Sequence, residues 1–293
     1  MTKNAEPLYR GRLAPSPTGH LHLGHARTFL IAAERARQYS GRLIFRNEDL
    51  DPQRCRREYA DAMYTDLRWL GIEWQEGPDC GGPYPPYSQS QRRTSYLSAW
   101  HRLRDGGWIY PCMCSRKDLA QSASAPNDVD DEPLYPGHCR ARTDAGQFPE
   151  PKGVNWRFRV PDEQAICFED LHLGLQRFVA GTDFGDFVVW RRDDVPAYQL
   201  AVVVDDAEMQ ISEVVRGADL LKSTARQILL CRALAYTTPD YYHCDLVRDE
   251  SGERMAKRHD SASIRRLREK RFTREQVLQQ IESLSKTLKI TPD

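Results

Sequence analysis

His22 and His25 bracket Leu23-Gly24, a spacing that suits phosphate chemistry. Imidazoles placed there can donate hydrogen bonds to phosphate oxygens as charge builds up in phosphoryl or nucleotidyl transfer. Glycine at 24 lets a nucleotide approach the backbone closely. In "RLAPSPTGHLHLGHARTFL" turn formers cluster at 15 to 19, and apolar residues then recur at Ala26, Phe29, Leu30, Ala33 and Ala36. That is the three-to-four spacing of a helix with one buried face, entered from a tight loop. A helix start of this kind offers free N–H groups and the positive end of the dipole to an anion. By itself the four-residue pattern also fits a capped helix with incidental histidines. Lys257, in "ERMAKRH" (253 to 259), strengthens the chemical reading, because a lysine on a glycine-containing loop can close over a triphosphate and neutralise it.

Cys112, Cys114 and Cys139 form a second constellation. Three thiols close in space make a soft site that zinc fits, and a four-ligand site of this type is structural. Small buried thiols are the plain alternative, since Cys-x-Cys followed by a 24-residue gap is a weaker signal than two Cys-x-x-Cys pairs. His138 is the conventional choice for a fourth ligand, but it adjoins Cys139. The remaining cysteines are scattered, which is not a disulfide framework and points to a reducing cytoplasm.

Several elements must position these groups. "YRGRLAPS" reads as a strand entering a loop, 24 to 39 as a helix, "GRLIFRNED" as a strand, and 53 to 70 as a helix with Tyr59, Met63, Leu67 and Leu70 on one face. This alternation argues for an α/β fold with a parallel sheet covered by helices, whose ligands bind beyond the carboxyl ends of the strands. "SQRRTSYLSAWHRLRDGG" is a helix ended by glycines. From 106 to 188 the texture changes to close cysteines, the polar tract "QSASAPNDVDDEP" and short strand-like runs such as "VNWRFRVP" and "GLQRFVAG", which reads as an insertion. "AYQLAVVVDDAEM" is expected to be a buried strand and "LLKSTARQILLCRALAY" a helix, and the chain ends in helix with Val277, Ile281, Leu284 and Leu288 on one face. The divisions expected are 1–105 and 189–245 for the two halves of a core, 106–188 for the insertion, and 246–293 for the lysine loop and helical tail.

At 293 residues with 40% apolar residues, the chain can build a core without staples. Its 42 basic and 42 acidic residues cancel, so overall charge argues for no nucleic-acid partner, although "RRLREKRFTR" (265 to 274) is a basic stripe. No stretch approaches the apolar length of a membrane span, and no membrane partner is expected. The N-terminus lacks a signal-like apolar core.

Arg12-x-Ala14-Pro15-Ser16-Pro17-Thr18-Gly19-x-Leu21-His22-Leu23-Gly24, joined to Arg254-Met255-Ala256-Lys257-Arg258, resembles the class I aminoacyl-tRNA synthetases of the glutamyl and glutaminyl type. The two segments look like that family's His-Ile-Gly-His and Lys-Met-Ser-Lys-Ser signatures. "FRNEDLDPQR" is similar to its Arg-Ile-Glu-Asp-x-Asp strand end, and the run from Asp186 to Leu221 to its second-half core. The resemblance implies a Rossmann-like class I catalytic core, a zinc-containing insertion and a short C-terminal helical stem-contact segment. Only 35 residues follow Arg258, where a full glutamyl-tRNA synthetase continues into an anticodon-binding region. Together with the cysteines, this resembles the truncated branch of the family that attaches glutamate to the queuosine base in the anticodon of tRNA(Asp).

Position by position, the resemblance implies glutamate contacts at Arg12, Ala14, Ser16, Glu48, Tyr198 and Arg216, with Glu48 on the ammonium group and Arg12 on the side-chain carboxylate. A dicarboxylic amino acid does need two cationic or donor sites and one anionic one, and guanidinium forks suit carboxylates. ATP would be handled by His22, Gly24, His25, Arg254 and Lys257, with His22, His25 and Lys257 acting in catalysis and Mg2+ bridging the phosphates. Arg254 stands where the family pattern has a lysine and Ala256 where it has a serine, so the charge is kept but not the geometry. The zinc ligands implied are Cys112, Cys114, Tyr135 and Cys139. The substrates implied are L-glutamate, ATP and tRNA(Asp) carrying queuosine, and a monomer is expected. The alternatives are a short synthetase charging a tRNA 3′ end and a noncatalytic, zinc-containing RNA-binding module.

Overall fold

In the computed structural model, which describes residues 9–114, 134–246 and 263–286, strand β1 (Arg10–Leu13) runs parallel to β2 (Arg42–Phe45), with Arg12 opposite Ile44 and Leu13 opposite Phe45. Helix α1 (Leu23–Gln38) connects them in the manner a parallel pair requires. It buries Leu23, Ala26, Ala32 and Ala36 against the strands. Helix α2 (Arg57–Trp69) follows β2 and buries Met63 and Leu67, with Leu70 at its C-cap. It starts four residues later than the apolar pattern predicts. The Asp51 carboxylate accepts the Gln53 N–H at 3.1 Å and the Asp51 carbonyl accepts from Cys55 at 2.9 Å, so a side-chain-stabilised turn holds 51–55.

The described residues divide into two compact units. The first comprises 1–91, 211–218 and 242–293. In it β8 (Glu213–Gly217) lies along β1, where the Ser212 N–H donates to the Arg10 carbonyl at 3.0 Å. Leu13, Leu43, Phe45, Ala26, Met63, Leu67 and Val215 form its core, closed by Ile264 and Leu267 of α6 (Ile264–Glu269) and Val277 and Ile281 of α7 (Arg274–Lys286). The Ser263 side chain caps α6 by accepting the Arg266 N–H at 3.3 Å. Leu284 and Leu288 lie outside the residues whose side chains are described.

The second unit comprises 92–210 and 219–241. Strands β3 (Ile109–Cys112), β4 (Asn155–Phe158) and β7 (Phe187–Trp190) make an antiparallel sheet in that order, and β5 (Ala165–Asp170) and β6 (Gly174–Val179) make a hairpin. Trp156 meets Trp100 of α3 (Arg93–Asp105) edge to face at 4.8 Å, and Phe158 stacks on Phe187 at 5.3 Å.

"YQLAVVVDDAE" is a helix, α4 (Tyr198–Glu208), and not the strand its β-branched run predicts. Seven consecutive residues, Leu200 to Asp206, are buried, so no alternation or helical stripe marks the segment. A helix that is apolar nearly all round is a buried helix, and periodicity cannot separate it from a buried strand. Tertiary pairing decides the matter. Asp205 accepts from Arg92 Nε at 2.6 Å and from the Tyr96 hydroxyl at 3.0 Å, which holds α4 against α3. Helix α5 (Leu221–Ala233) packs beside α4, with Gln227 donating to Gln199 at 3.0 Å. No described helix is long and apolar enough to cross a membrane.

Candidate active site

The loop after β1 is stitched to the segment after β2 through its carbonyls. Leu13 accepts the Arg46 N–H at 2.8 Å, Pro15 that of Glu48 at 3.1 Å and Pro17 that of Arg56 at 2.9 Å. Prolines at 15 and 17 lack N–H groups, so here they contribute only acceptors. The backbone of Glu48 is thereby fixed beside Arg12, Ala14 and Ser16. Glu48 is buried and accepts a charge-assisted hydrogen bond from Arg46 Nη2 at 3.0 Å, with Arg46 fully buried. Arg12 is buried, and its Nη1 donates to the Val215 carbonyl at 2.8 Å. Val215 precedes Arg216 on β8. Arg216 is buried as well, its Nε donating to His243 Nε2 at 3.2 Å. His243 lies on β9 (Asp240–Cys244) and is completely buried. The structure therefore brings Arg12, Ala14, Ser16, Glu48 and Arg216 into one unit, two cations and one anion on neighbouring strand ends. Ser16 is exposed, at the open side of the loop, where its carbonyl accepts the Thr18 N–H at 2.8 Å. Tyr198 is the first residue of α4 in the second unit and is 36% exposed.

His22 is the N-cap of α1. Its Nδ1 accepts the Gly24 N–H at 3.2 Å, which places the ring proton of the neutral imidazole on Nε2. That Nε2 is buried and has no hydrogen-bond partner among the described residues. The rings of His22 and His25 stack at 3.6 Å. Burial holds His22 below its usual value, and His25 is lowered by desolvation and then by His22, although its outer side is exposed. Both imidazoles are neutral donors near pH 7. Arg254 and Lys257 lie outside the described residues. The chain on either side of them is fastened to this same helix start. Arg27 Nη1 donates to the Asp245 carbonyl at 2.7 Å, the Ile264 N–H donates to the Leu21 carbonyl at 2.8 Å, and Ser263 bridges to His22.

In the second unit the sulfurs of Cys112, Cys114 and Cys139 lie within 4.8 Å of one another. The Tyr135 hydroxyl is 3.4 Å from the sulfurs of both Cys112 and Cys114 and accepts the Cys139 N–H at 2.8 Å. Three thiols thus converge beside a phenol oxygen, and the three sulfurs are a donor set that fits zinc. His138 meets the Tyr135 ring edge to face at 6.4 Å between centroids. Burial raises the Cys114 thiol to about 11, so metal binding there must displace protons. Arg157 lies 4.1 Å over the Tyr135 ring, and its Nη1 donates to the Asp186 carbonyl at 2.8 Å. The Asp186 carboxylate accepts from the Tyr110 hydroxyl, the Val160 N–H and Arg140, the residue after Cys139. This frame orients the cluster.

The family model of class I tRNA synthetases of the glutamate and glutamine type, catalytic domain, matches residues 9–289. The chain belongs to this family. Among its relatives in the family, the Glutamyl-Q tRNA(Asp) synthetase of Symbiobacterium thermophilum is 50% identical over 262 residues, which are 88% of this chain and 80% of that protein. The Glutamyl-Q tRNA(Asp) synthetase of Nitratidesulfovibrio vulgaris is 47% identical over 89% of this chain and 81% of that protein. The solved glutamate-tRNA synthetase of Elizabethkingia anophelis superposes with a TM-score of 0.76 at 30% identity over 86% of this chain, which spans about half (53%) of that longer chain. The fold is the class I synthetase catalytic fold, mixed α/β with parallel strands.

Proposed function

We propose that this synthetase activates L-glutamate with ATP as glutamyl-adenylate, without tRNA, and transfers the glutamate to the queuosine base in the anticodon of tRNA(Asp). One observation carries the choice of target. The chain is about half identical to two Glutamyl-Q tRNA(Asp) synthetases and covers 80% and 81% of their lengths, against 53% of the glutamate-tRNA synthetase it superposes on.

Glu48 receives the substrate ammonium group, its carboxylate also accepting from Arg46. Arg12 binds the side-chain carboxylate, and Arg216, Tyr198 and the Ala14–Ser16 loop complete the glutamate site. The α-carboxylate attacks the α-phosphate of ATP, and pyrophosphate leaves. No protein nucleophile is needed, so rate comes from positioning and charge stabilisation. The Nε2–H of His22 donates to the phosphates beside His25 and Gly24, and Arg254 and Lys257 neutralise them; Mg2+, when bound, would add to that neutralisation. A hydroxyl of the queuosine cyclopentene ring then attacks the mixed anhydride, and AMP leaves. Zinc, when bound, is a structural cross-link held by Cys112, Cys114, Tyr135 and Cys139 within the 106–188 insertion. Segment 246–293 provides the ATP loop and the helical stem-contact tail.

The test has two parts. Glutamate-dependent exchange of pyrophosphate into ATP is expected with no tRNA added, and labelled glutamate is expected on queuosine-containing tRNA(Asp) alone. Absence of exchange removes the ligase reading, and equal transfer to queuosine-free tRNA, or charging of a 3′ end, removes the choice of target.

A further inference from the structure

Trp108 has 45% of its surface exposed in a unit whose other tryptophans at 100, 156 and 190 are fully buried. It follows two glycines that end α3, and its backbone is clamped at both ends. Its N–H donates to the Leu103 carbonyl at 2.9 Å, and its carbonyl accepts the Arg159 N–H at 2.8 Å. The indole is nearly parallel to the ring of buried Phe158, 4° between planes with centroids 6.2 Å apart. It also lies against Gly106, where an added Cβ would come within 2.7 Å of Cδ1. An exposed ring that is held in this way is a preformed flat surface. It lines a cavity of about 440 Å³ together with Leu229, Arg232 and Ala233 of α5. Arg159 and Arg140 line it too.

The cations of this cavity differ in what they are free to do. Arg140 is committed to Asp186 and Asp162, and Arg159 lies 4.8 Å over Tyr110 while donating to the Arg140 carbonyl. Arg232 is exposed, and its guanidinium has no hydrogen-bond or ion-pair partner among the described residues. At the rim, Gln164 is exposed and offers an amide donor and acceptor. An aromatic face, an uncommitted arginine and an amide around a cavity of this volume match one unpaired nucleotide: a base to stack, a phosphate to pair, a base edge to read.

We infer that this cavity is an RNA subsite, in which an unpaired nucleotide of the tRNA substrate stacks on Trp108 with its phosphate on Arg232. The inference rests on the proposed tRNA substrate and adds a contact outside the glutamate and ATP residues. With a net charge of zero, the chain has no overall positive charge to draw RNA in, so local contacts of this kind gain weight. Because Arg140 follows Cys139, the cysteine cluster would fix one wall.

The experiment compares wild type with Trp108→Ala and Arg232→Ala. It measures the Kd for tRNA(Asp) at several salt concentrations, transfer to queuosine-containing tRNA(Asp), and glutamate-dependent exchange without tRNA. Trp108→Ala is expected to weaken binding by about 10-fold or more with an unchanged salt slope, as loss of a stacked base does. Arg232→Ala is expected to lower the slope by about one, as loss of one phosphate contact does. Exchange should stay within twofold in both. Arg232→Ala, at an exposed helix end, keeps the test valid if Trp108→Ala unfolds. If wild type transfers glutamate but the variants bind tRNA(Asp) within twofold of it with the same slope, the subsite is wrong and the function stands. If wild type transfers nothing to queuosine-containing tRNA(Asp), the functional reading falls first.

Discussion

At the scale of single residues, the cap at His22 sets both a structure and a charge state. An imidazole that accepts from Gly24 N–H through Nδ1 cannot be doubly protonated without breaking that bond, and burial lowers its pKa from 6.5 in the same direction. Below about pH 6.5 the unfolded chain therefore binds a proton here that the folded chain refuses, so stability falls as pH drops from that value towards the folded pKa. His22→Asn keeps a cap acceptor but cannot titrate. Urea denaturation is expected to show similar stability to wild type at pH 7.5 and a smaller loss on going to pH 5.5, while exchange slows by roughly 100-fold for want of the Nε2–H donor. Arg216 depends on its partner in a comparable way. His243→Leu is expected to raise KM for glutamate by about 10-fold with KM for ATP unchanged, and His243→Gln, which retains an acceptor, to restore most of it; exchange kinetics decide. Sequence proximity could reach Arg46, which lies two residues before Glu48 within the same short segment after β2. It could not reach His243, whose contact with Arg216 exists only because β8 and β9 are neighbours in the folded unit.

At the scale of elements, what was legible depended on whether a segment was buried on one side or on all. Helix α1 has a buried stripe and an open face, so its apolar spacing announces it, and the turn formers before it announce the loop that carries Arg12 to Ser16. Helix α4 is buried on every side, and there its Val-rich run pointed to the wrong element. Its two aspartates were the better signal. A buried carboxylate needs a cation, and Asp205 finds Arg92, whose side chain is only 3% exposed. Asp205→Ala is expected to leave Arg92 buried without its main counter-charge and to cost about 3–5 kcal/mol in chemical denaturation. Replacing the pair together, with Arg92→Met and Asp205→Leu, is expected to recover most of that loss, which would show that the cost lies in the stranded charge and not in the missing contact. The cysteine cluster was legible only as a possibility, since spacing alone cannot bring residue 139 back to residue 112. The turn holding Tyr135 and Cys139, with its hydroxyl-to-amide hydrogen bond, is what does so.

At the scale of the molecule, the residues proposed to bind glutamate and ATP lie mostly in the first unit, with Tyr198 the exception. Arg12, His22, Glu48 and Arg216 belong to the first, whereas the cysteine cluster, Tyr198 and the Trp108 cavity belong to the second. A change that loosens the second unit should therefore cost more in transfer to tRNA than in activation of glutamate. Cys114→Ser provides that change. It removes one of three converging sulfurs, and closed sites of this kind lose much of their affinity with a ligand. Bound zinc, measured by metal analysis, is expected to fall well below one ion per chain, and the melting temperature with it. Glutamate transfer to tRNA(Asp) is expected to drop by at least 10-fold. Exchange without tRNA should keep the greater part of its maximal rate, with a several-fold higher KM for glutamate because Tyr198 belongs to the loosened unit. Equal losses in both half-reactions would mean that the cluster supports the whole catalytic body, and an unchanged zinc content would remove Cys114 from the ligand set. The asymmetry between the two activities thus reads out, in one variant, how glutamate activation and tRNA recognition are divided along the chain.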